Sequence, residues 1–304
     1  SSGRSDDMMT RYLPIILLIL LGNLWGLAFS LAKIAVQGGI PPVAYAWYQS
    51  TGAALLLWVL CRQRGVAIRV TRAHLILFLG SSVLGLVLPN INIVIVTSHL
   101  PAGVVSMLVT TVPMISYAIA LGLRIEQLRW SRAGGLILGF TGVLFIILPK
   151  SSLPSPDMAV WVVIGLATPL LYGISNIFIA TKRPKDTHSL LAAFGMMAMS
   201  SVITLPLMLA TSGFHPLFVD PSPADWAMLG QTAITAVAFI MYFEILQRAG
   251  PVFGAQVGYV VTVFGLFWGW VIFSESHSAW IWAAIICVFA GIALVNAKPT
   301  KKAD

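Results

Sequence analysis

Charge is scarce in this chain. Only 9% of its 304 residues are Asp, Glu, Lys or Arg and 58% are hydrophobic, whereas an ordinary soluble domain carries roughly 25% charged residues. Such a composition excludes a water-facing globule, and the solvent that suits it is a lipid bilayer. Long polar stretches are missing as well. The longest connections between apolar runs, 62–73, 149–157 and 211–225, are short and rich in Arg, Pro or Ser, so no soluble domain is left over. Cysteine is reduced to Cys61 at a span end and Cys287 in mid-span, which rules out a disulfide between them and leaves both as packing residues. No Walker motif or other nucleotide-binding pattern occurs, so ATP does not drive the chain directly and no cofactor is implied. A catalytic set is absent too. His74, His99, His188, His215 and His277 fall at helix ends or in loops, no Asp lies in mid-span, and the serine of "GISN" lacks the partners of a nucleophile. An intramembrane enzyme is therefore disfavoured.

What the chain does have is a series of apolar runs, each near the roughly 17 to 25 residues that span a bilayer. They lie at about 12–36, 43–61, 74–96, 102–123, 131–148, 158–181, 188–210, 226–248, 252–274 and 280–297. The runs are continuous, not alternating, and lipid demands that every backbone group be satisfied within its own segment. The expected fold class is an all-α membrane protein of ten transmembrane helices. The opening "SSGRSDD" has no Met and reads as an expression remnant at the head of a cytoplasmic N-terminus, 1–11. A signal-peptide reading of 12–36 fails because the run is too long for the apolar core of one.

The formal charge is +8, yet the basic residues are spread singly between spans, which does not make a nucleic-acid surface. Apart from Lys33 within the first span and Lys150, every Lys and Arg falls on one side, from Arg4 through Arg62, Arg124 and Arg183 to Lys302. The positive-inside rule then puts both termini in the cytoplasm. An even number of spans agrees, and the expected location is a multi-pass plasma membrane, in bacteria the inner one.

A repeat governs the rest. "LPAGVVSMLVTTVPMISYAIALGLRIE" (100–126) returns as "AGPVFGAQVGYVVTVFGLFWGWVIFSE" (249–275), so that Pro101 answers Pro251 and Glu126 answers Glu275. "LWGLAFS" (24–30) sits over "LYGISNI" (171–177), and "GFTGVLFII" (139–147) over "VFAGIALVN" (288–296). The chain is two five-helix copies, 12–148 and 158–297, followed by a tail at 298–304. Five is odd, so the second copy enters the membrane upside down. Two inverted copies exchange conformations at comparable energy, which is the requirement of alternating access. An enzyme has no need of it; a passive channel is separated from a carrier by saturation of flux.

These stretches resemble the drug/metabolite transporter superfamily in its EamA-type ten-helix branch. The likeness rests on "LWGLAFSLAKIAV", the Pro-containing helices ending in Glu126 and Glu275, and "GGLILGFTGVL" with its partner "AAIICVFAGIAL". In length and layout the chain is also similar to the YddG-type amino-acid exporters. The resemblance implies a secondary transporter of small metabolites, in the first place neutral or aromatic amino acids moved outward. Multidrug or other-metabolite efflux is the alternative.

Polar groups within spans should face the bundle interior. Helical phase aligns Asn23, Ser30 and Lys33 on the first helix, with Trp25 on its other face, and Tyr48 with Gln49 on the second. The third offers Asn90, with Asn92 to one side; the fourth Ser106 and Thr110; the sixth Tyr172, Ser175 and Asn176; the eighth Gln231 and Tyr242; the ninth Gln256 with Tyr259. A central cavity walled by the first four helices of each copy follows, uncharged but for Lys33. Its occupant would be a small neutral or zwitterionic solute. Ser and Thr equally bond their own backbone or join two helices, and Lys33 either snorkels to the headgroups or meets a substrate carboxylate. Glu244 reads as an i, i+4 partner of Arg248, and Glu126 and Glu275 as loop anchors. The Trp residues near span ends form an aromatic belt. Pro89, Pro113, Pro169 and Pro206 predict bends, Pro101 and Pro251 helix starts, and the three-four and eight-nine hairpins the two gates.

Overall fold

The computed structural model describes the backbone over residues 2–211, 213–254 and 257–296, and side chains over 13–211, 213–242, 244–245 and 257–295. It is helical throughout, with no strand among the described residues. The first two segments are α1 (Ser2–Gln37) and α2 (Pro42–Gln63). The third comprises α3 (Arg72–Ser82), a π-helical turn (Val83–Val87) and α4 (Leu88–Thr97). The fourth is α5 (Ala102–Val109) with α6 (Val112–Gly122), and the fifth α7 (Trp130–Ile147). The sixth joins α8 (Ala159–Gly165) to α9 (Ala167–Lys182), and the rest are α10 (Ser189–Ala210), α11 (Pro223–Gly254), α12 (Val257–Phe273) and α13 (Ala279–Asn296). Among the described residues seven segments are long and apolar enough to cross a membrane, and two shorter ones are as apolar. The tenth, α2, mixes Tyr45, Tyr48, Gln49, Ser50 and Thr51 into its first half.

Proline sets the interruptions. A proline ring collides with the carbonyl four residues back and offers no N–H. Ahead of Pro89 the helix widens into the π turn, in which Leu88 N–H donates to Val83 O. Ahead of Pro113 the chain pauses at Thr110 and Thr111, and Thr111 N–H donates three residues back to Leu108 O at 3.1 Å. Ahead of Pro169 it pauses at Leu166. Pro206 lies inside a continuous α10. One expectation fails. Gly250 and Pro251 do not open the ninth helix, because α11 continues to Gly254 and α12 begins at Val257; one lost bond in a terminal turn is cheap.

The copies meet through their own counterparts. Ser50 Oγ and Ser200 Oγ lie 2.7 Å apart, and Thr51 Oγ1 and Ser201 Oγ 2.6 Å, each pair 150 residues apart in sequence. Thr110 on α5 hydrogen-bonds Thr262 on α12. At the edge α7 lies on α13 so closely that a Cβ on Gly135 would stand 2.5 Å from Gly291 O, and one on Gly291 2.6 Å from Gly135 O. Residues on a two-fold axis meet their own equivalents, and these contacts mark such an axis within the chain. Around it the halves interleave: α1 packs on α11 and α12, whereas its counterpart α9 packs on α3, α4 and α6. The fifth and tenth segments, rich in small residues, pack on each other as α7 and α13.

Candidate functional site

Three helices bring four uncharged polar side chains into one layer. Asn90 is the first polar residue after the π turn, which shifts the phase of all that follows it, and its Nδ2 donates to Gln49 Oε1 on α2 at 3.0 Å. Gln49 Nε2 donates to Thr235 Oγ1 on α11 at 2.8 Å, and Thr235 donates to Gln231 O at 2.8 Å. Gln231 Nε2 points to the same hydroxyl at 3.5 Å, while Gln231 Oε1 is buried without a partner. Gln49, Gln231 and Thr235 are at most 5% exposed. A buried amide oxygen lacking a donor costs roughly 1–3 kcal/mol, so this layer is left one bond short.

Further along α11, Phe239 and Tyr242 form an aromatic shelf with Trp25 of α1, at centroid distances of 6.0 and 5.4 Å. Asn23 accepts from Trp268 Nε1 at 2.7 Å, fixing α1 against α12. On the opposite half Tyr172 is half-buried, Ser175 is buried against Gly85, and Asn176 is exposed. Asn176 lies on the flank of α9 between Gly173, which meets α6, and Ser175, which meets the third segment.

Other candidates serve structure. Ser106 donates to Gly103 O at 2.7 Å, and Thr110 to Ser106 O at 2.8 Å. Tyr48 donates to His215 O at 2.6 Å and pins a loop. Tyr259 turns to α13, with its ring 4.9 Å from that of Phe289. Ser30 Oγ is buried without a partner. Gln256 and Arg248 lie outside the described side chains.

Lys33 neither snorkels nor stands free. Its Nζ lies 3.4 Å from Glu275 Oε1 and 3.3 Å from Leu100 O. Glu275 in turn accepts from Ala102 N–H at 2.7 Å and Gly103 N–H at 3.2 Å. Pro101 offers α5 no side-chain cap, so these orphan donors are met by a carboxylate from another segment. His277 follows in the α12–α13 loop, its Nε2 3.9 Å from Glu275 Oε2 and hydrogen-bonded to nothing. Burial holds the His277 imidazole below its ordinary pKa, and Glu275 opposes that shift. Glu275 thus anchors more than its own loop.

Asn92 is a residue that phase alone set aside. Its Nδ2 donates to Ile164 O at 3.1 Å and to Thr168 Oγ1 at 2.8 Å. It thereby meets a carbonyl loosened by the break before Pro169, as the interior of a membrane requires. Phe239, Trp268 and Thr262 join these contacts as well.

A family profile described as the EamA-like transporter family matches residues 13–148 and again 159–297. The pseudopaline exporter CntI of Pseudomonas aeruginosa is 24% identical over 291 residues in one strain, covering 92% of this chain and 96% of that protein. The exporter of a second strain is 25% identical over the same span. A solved crystal structure described only as a protein superposes with a TM-score of 0.62 at 16% identity, covering 94% of this chain and 97% of that one. That last likeness is one of fold.

Proposed function

Because the chain belongs to the EamA-like transporter family, we propose that it is a secondary transporter of a neutral or zwitterionic solute, in the first place an amino acid. It carries this solute outward across a bacterial inner membrane by alternating access. The solute sits between the halves, its polar end on the Gln49–Asn90–Thr235–Gln231 layer and its apolar side chain on the Trp25–Phe239–Tyr242 shelf. Tyr172 and Asn176 line the approach, and both termini lie in the cytoplasm. The observation that carries this reading is the unpartnered Gln231 Oε1, an acceptor in an otherwise bonded layer. With no cation or carboxylate in the layer, a neutral or zwitterionic solute is preferred to a polyanion.

A second reading has its own support. The relatives named as pseudopaline exporters favour export of another metabolite by the same route. Uptake into liposomes of a panel of labelled amino acids, with and without a pH gradient, separates the readings. Saturable uptake with counterflow supports an amino-acid carrier. Linear, unsaturable flux marks a pore, and saturable transport confined to other metabolites favours the second reading.

A further inference from the structure

We infer that Glu275 and Glu126 are alternating gate latches, one for each face of the membrane, and that the structure holds the first engaged and the second released. The inference rests on the alternating-access reading above and adds the parts that lock each state.

Glu275 is engaged. Its side chain is 7% exposed and ties three segments together: it belongs to the turn after α12, accepts two N–H groups at the start of α5, and pairs with Lys33 of α1. The carboxylate rests against Gly269, where no larger residue leaves it room. Lys33 is held in turn by Leu100 O and by the face of Phe273, 5.0 Å away. The groups with charge or titratable protons around this carboxylate are Lys33 from α1 and His277 from its own loop. The free N–H groups of α5 complete the cradle. A carboxylate accepting several charge-assisted bonds out of water is a strong link, and it joins the fourth segment to the first and ninth across the axis between the halves.

Glu126 is released. It follows α6 as Glu275 follows α12, and both turns contain a non-glycine residue in the left-handed region, Arg124 at φ 58 two residues before Glu126 and Ser274 at φ 54 immediately before Glu275. Yet Glu126 is 44% exposed and, among the described residues, pairs only with Arg132 of α7, at 3.4 Å. The register that sets Leu24 over Leu171 puts the counterpart of Lys33 at 180, and Lys182 stands two residues beyond. Each glutamate thus has a lysine near its own face, Lys33 for Glu275 and Lys182 for Glu126. Since the axis makes the two mouths equivalent, rocking that brings one glutamate onto its lysine withdraws the other.

Spin labels on Gln37→Cys and Ser98→Cys, introduced together with Cys61→Ala and Cys287→Ala, report the width of the mouth beside Lys33 by electron–electron distance. Glu275→Gln should add a longer distance to the distribution, and Lys33→Gln the same shift to a smaller extent. Glu126→Gln should move the population toward the short distance. A distribution unmoved by Glu275→Gln and Lys33→Gln in folded, monodisperse protein overturns the latch, as does a shift in the same direction by Glu126→Gln. Because the distance needs no solute, shifted distances without saturable flux leave the latch standing and remove the solute reading. Saturable flux with unmoved distances does the reverse.

Discussion

Ser50 and Ser200, 150 residues apart, share a hydrogen bond of 2.7 Å across α2 and α10. Ser50 also donates to Ala46 O at 2.7 Å, so its proton is spent there and Ser200 is the donor between the serines. The two copies are thus joined at their axis by a bond from a residue to its own equivalent. Hydrogen bonds between membrane helices contribute about 0.6 kcal/mol on average. A double-mutant cycle of Ser50→Ala and Ser200→Ala, read by thermal unfolding in detergent, should return a coupling of about that size. Strict additivity would show that the pair does not hold α2 to α10.

Gln49 and Gln231 should respond oppositely to apolar substitution. Gln49→Leu strips Asn90 Nδ2 of its acceptor and Thr235 of a donor, so it should cost about 1–3 kcal/mol in stability. Gln231→Met removes an oxygen that has no partner and should leave the unfolding temperature unchanged or raise it. If that oxygen receives the solute, the same variant should reduce saturable uptake about tenfold, the effect of roughly 1.4 kcal/mol of lost binding. A Gln231→Met protein that is both destabilised and fully active would remove Gln231 from the site.

Ten runs of apolar residues, the five-helix repeat and the small residues of the fifth and tenth segments are legible in the chain because each is a matter of period and composition. Partners across the fold are not. Phase places Lys33 on the inner face of α1, but nothing near it in sequence announces Glu275, 242 residues on. Tyr48 shares a face with Gln49, yet it stands near the start of α2, where His215 O is in reach. The bond from Asn92 to Ile164 O exists only because a proline loosens the sixth segment, and its direction cannot be read from the third segment alone. Proline itself marks helix interruptions at 89, 113 and 169, while α10 continues through 206.

The α7–α13 seam tests packing without touching the site. Gly291→Val would drive a Cβ to within 2.6 Å of Gly135 O, and backbone has no rotamer with which to yield. Gly134→Val, one residue from the seam, meets open space. Size-exclusion profiles after heating should show Gly291→Val lost at lower temperature than the parent, while Gly134→Val elutes unchanged. Equal behaviour of the two would mean that α7 and α13 are not in close contact in the bilayer.

His277 supplies a pH dependence whose sign is set by burial. In the unfolded chain the imidazole titrates at its ordinary value near 6.5, while in the fold burial lowers that value against the pull of Glu275. Below 6.5 the unfolded chain therefore binds the proton more readily, and stability falls as pH drops through the folded value. Above 6.5 the contribution is fully present. The neutral ring stands with Nε2 unbonded beside the Glu275 carboxylate and at 6.4 Å from the ring of Trp282, so protonation must desolvate a cation in a space of 5% exposure. Unfolding temperatures taken from pH 8 to pH 5 should decline more steeply for the parent protein than for His277→Asn, with the curves converging above pH 7. Parallel curves across the whole range would place the loss of stability on other groups and leave His277 as packing alone.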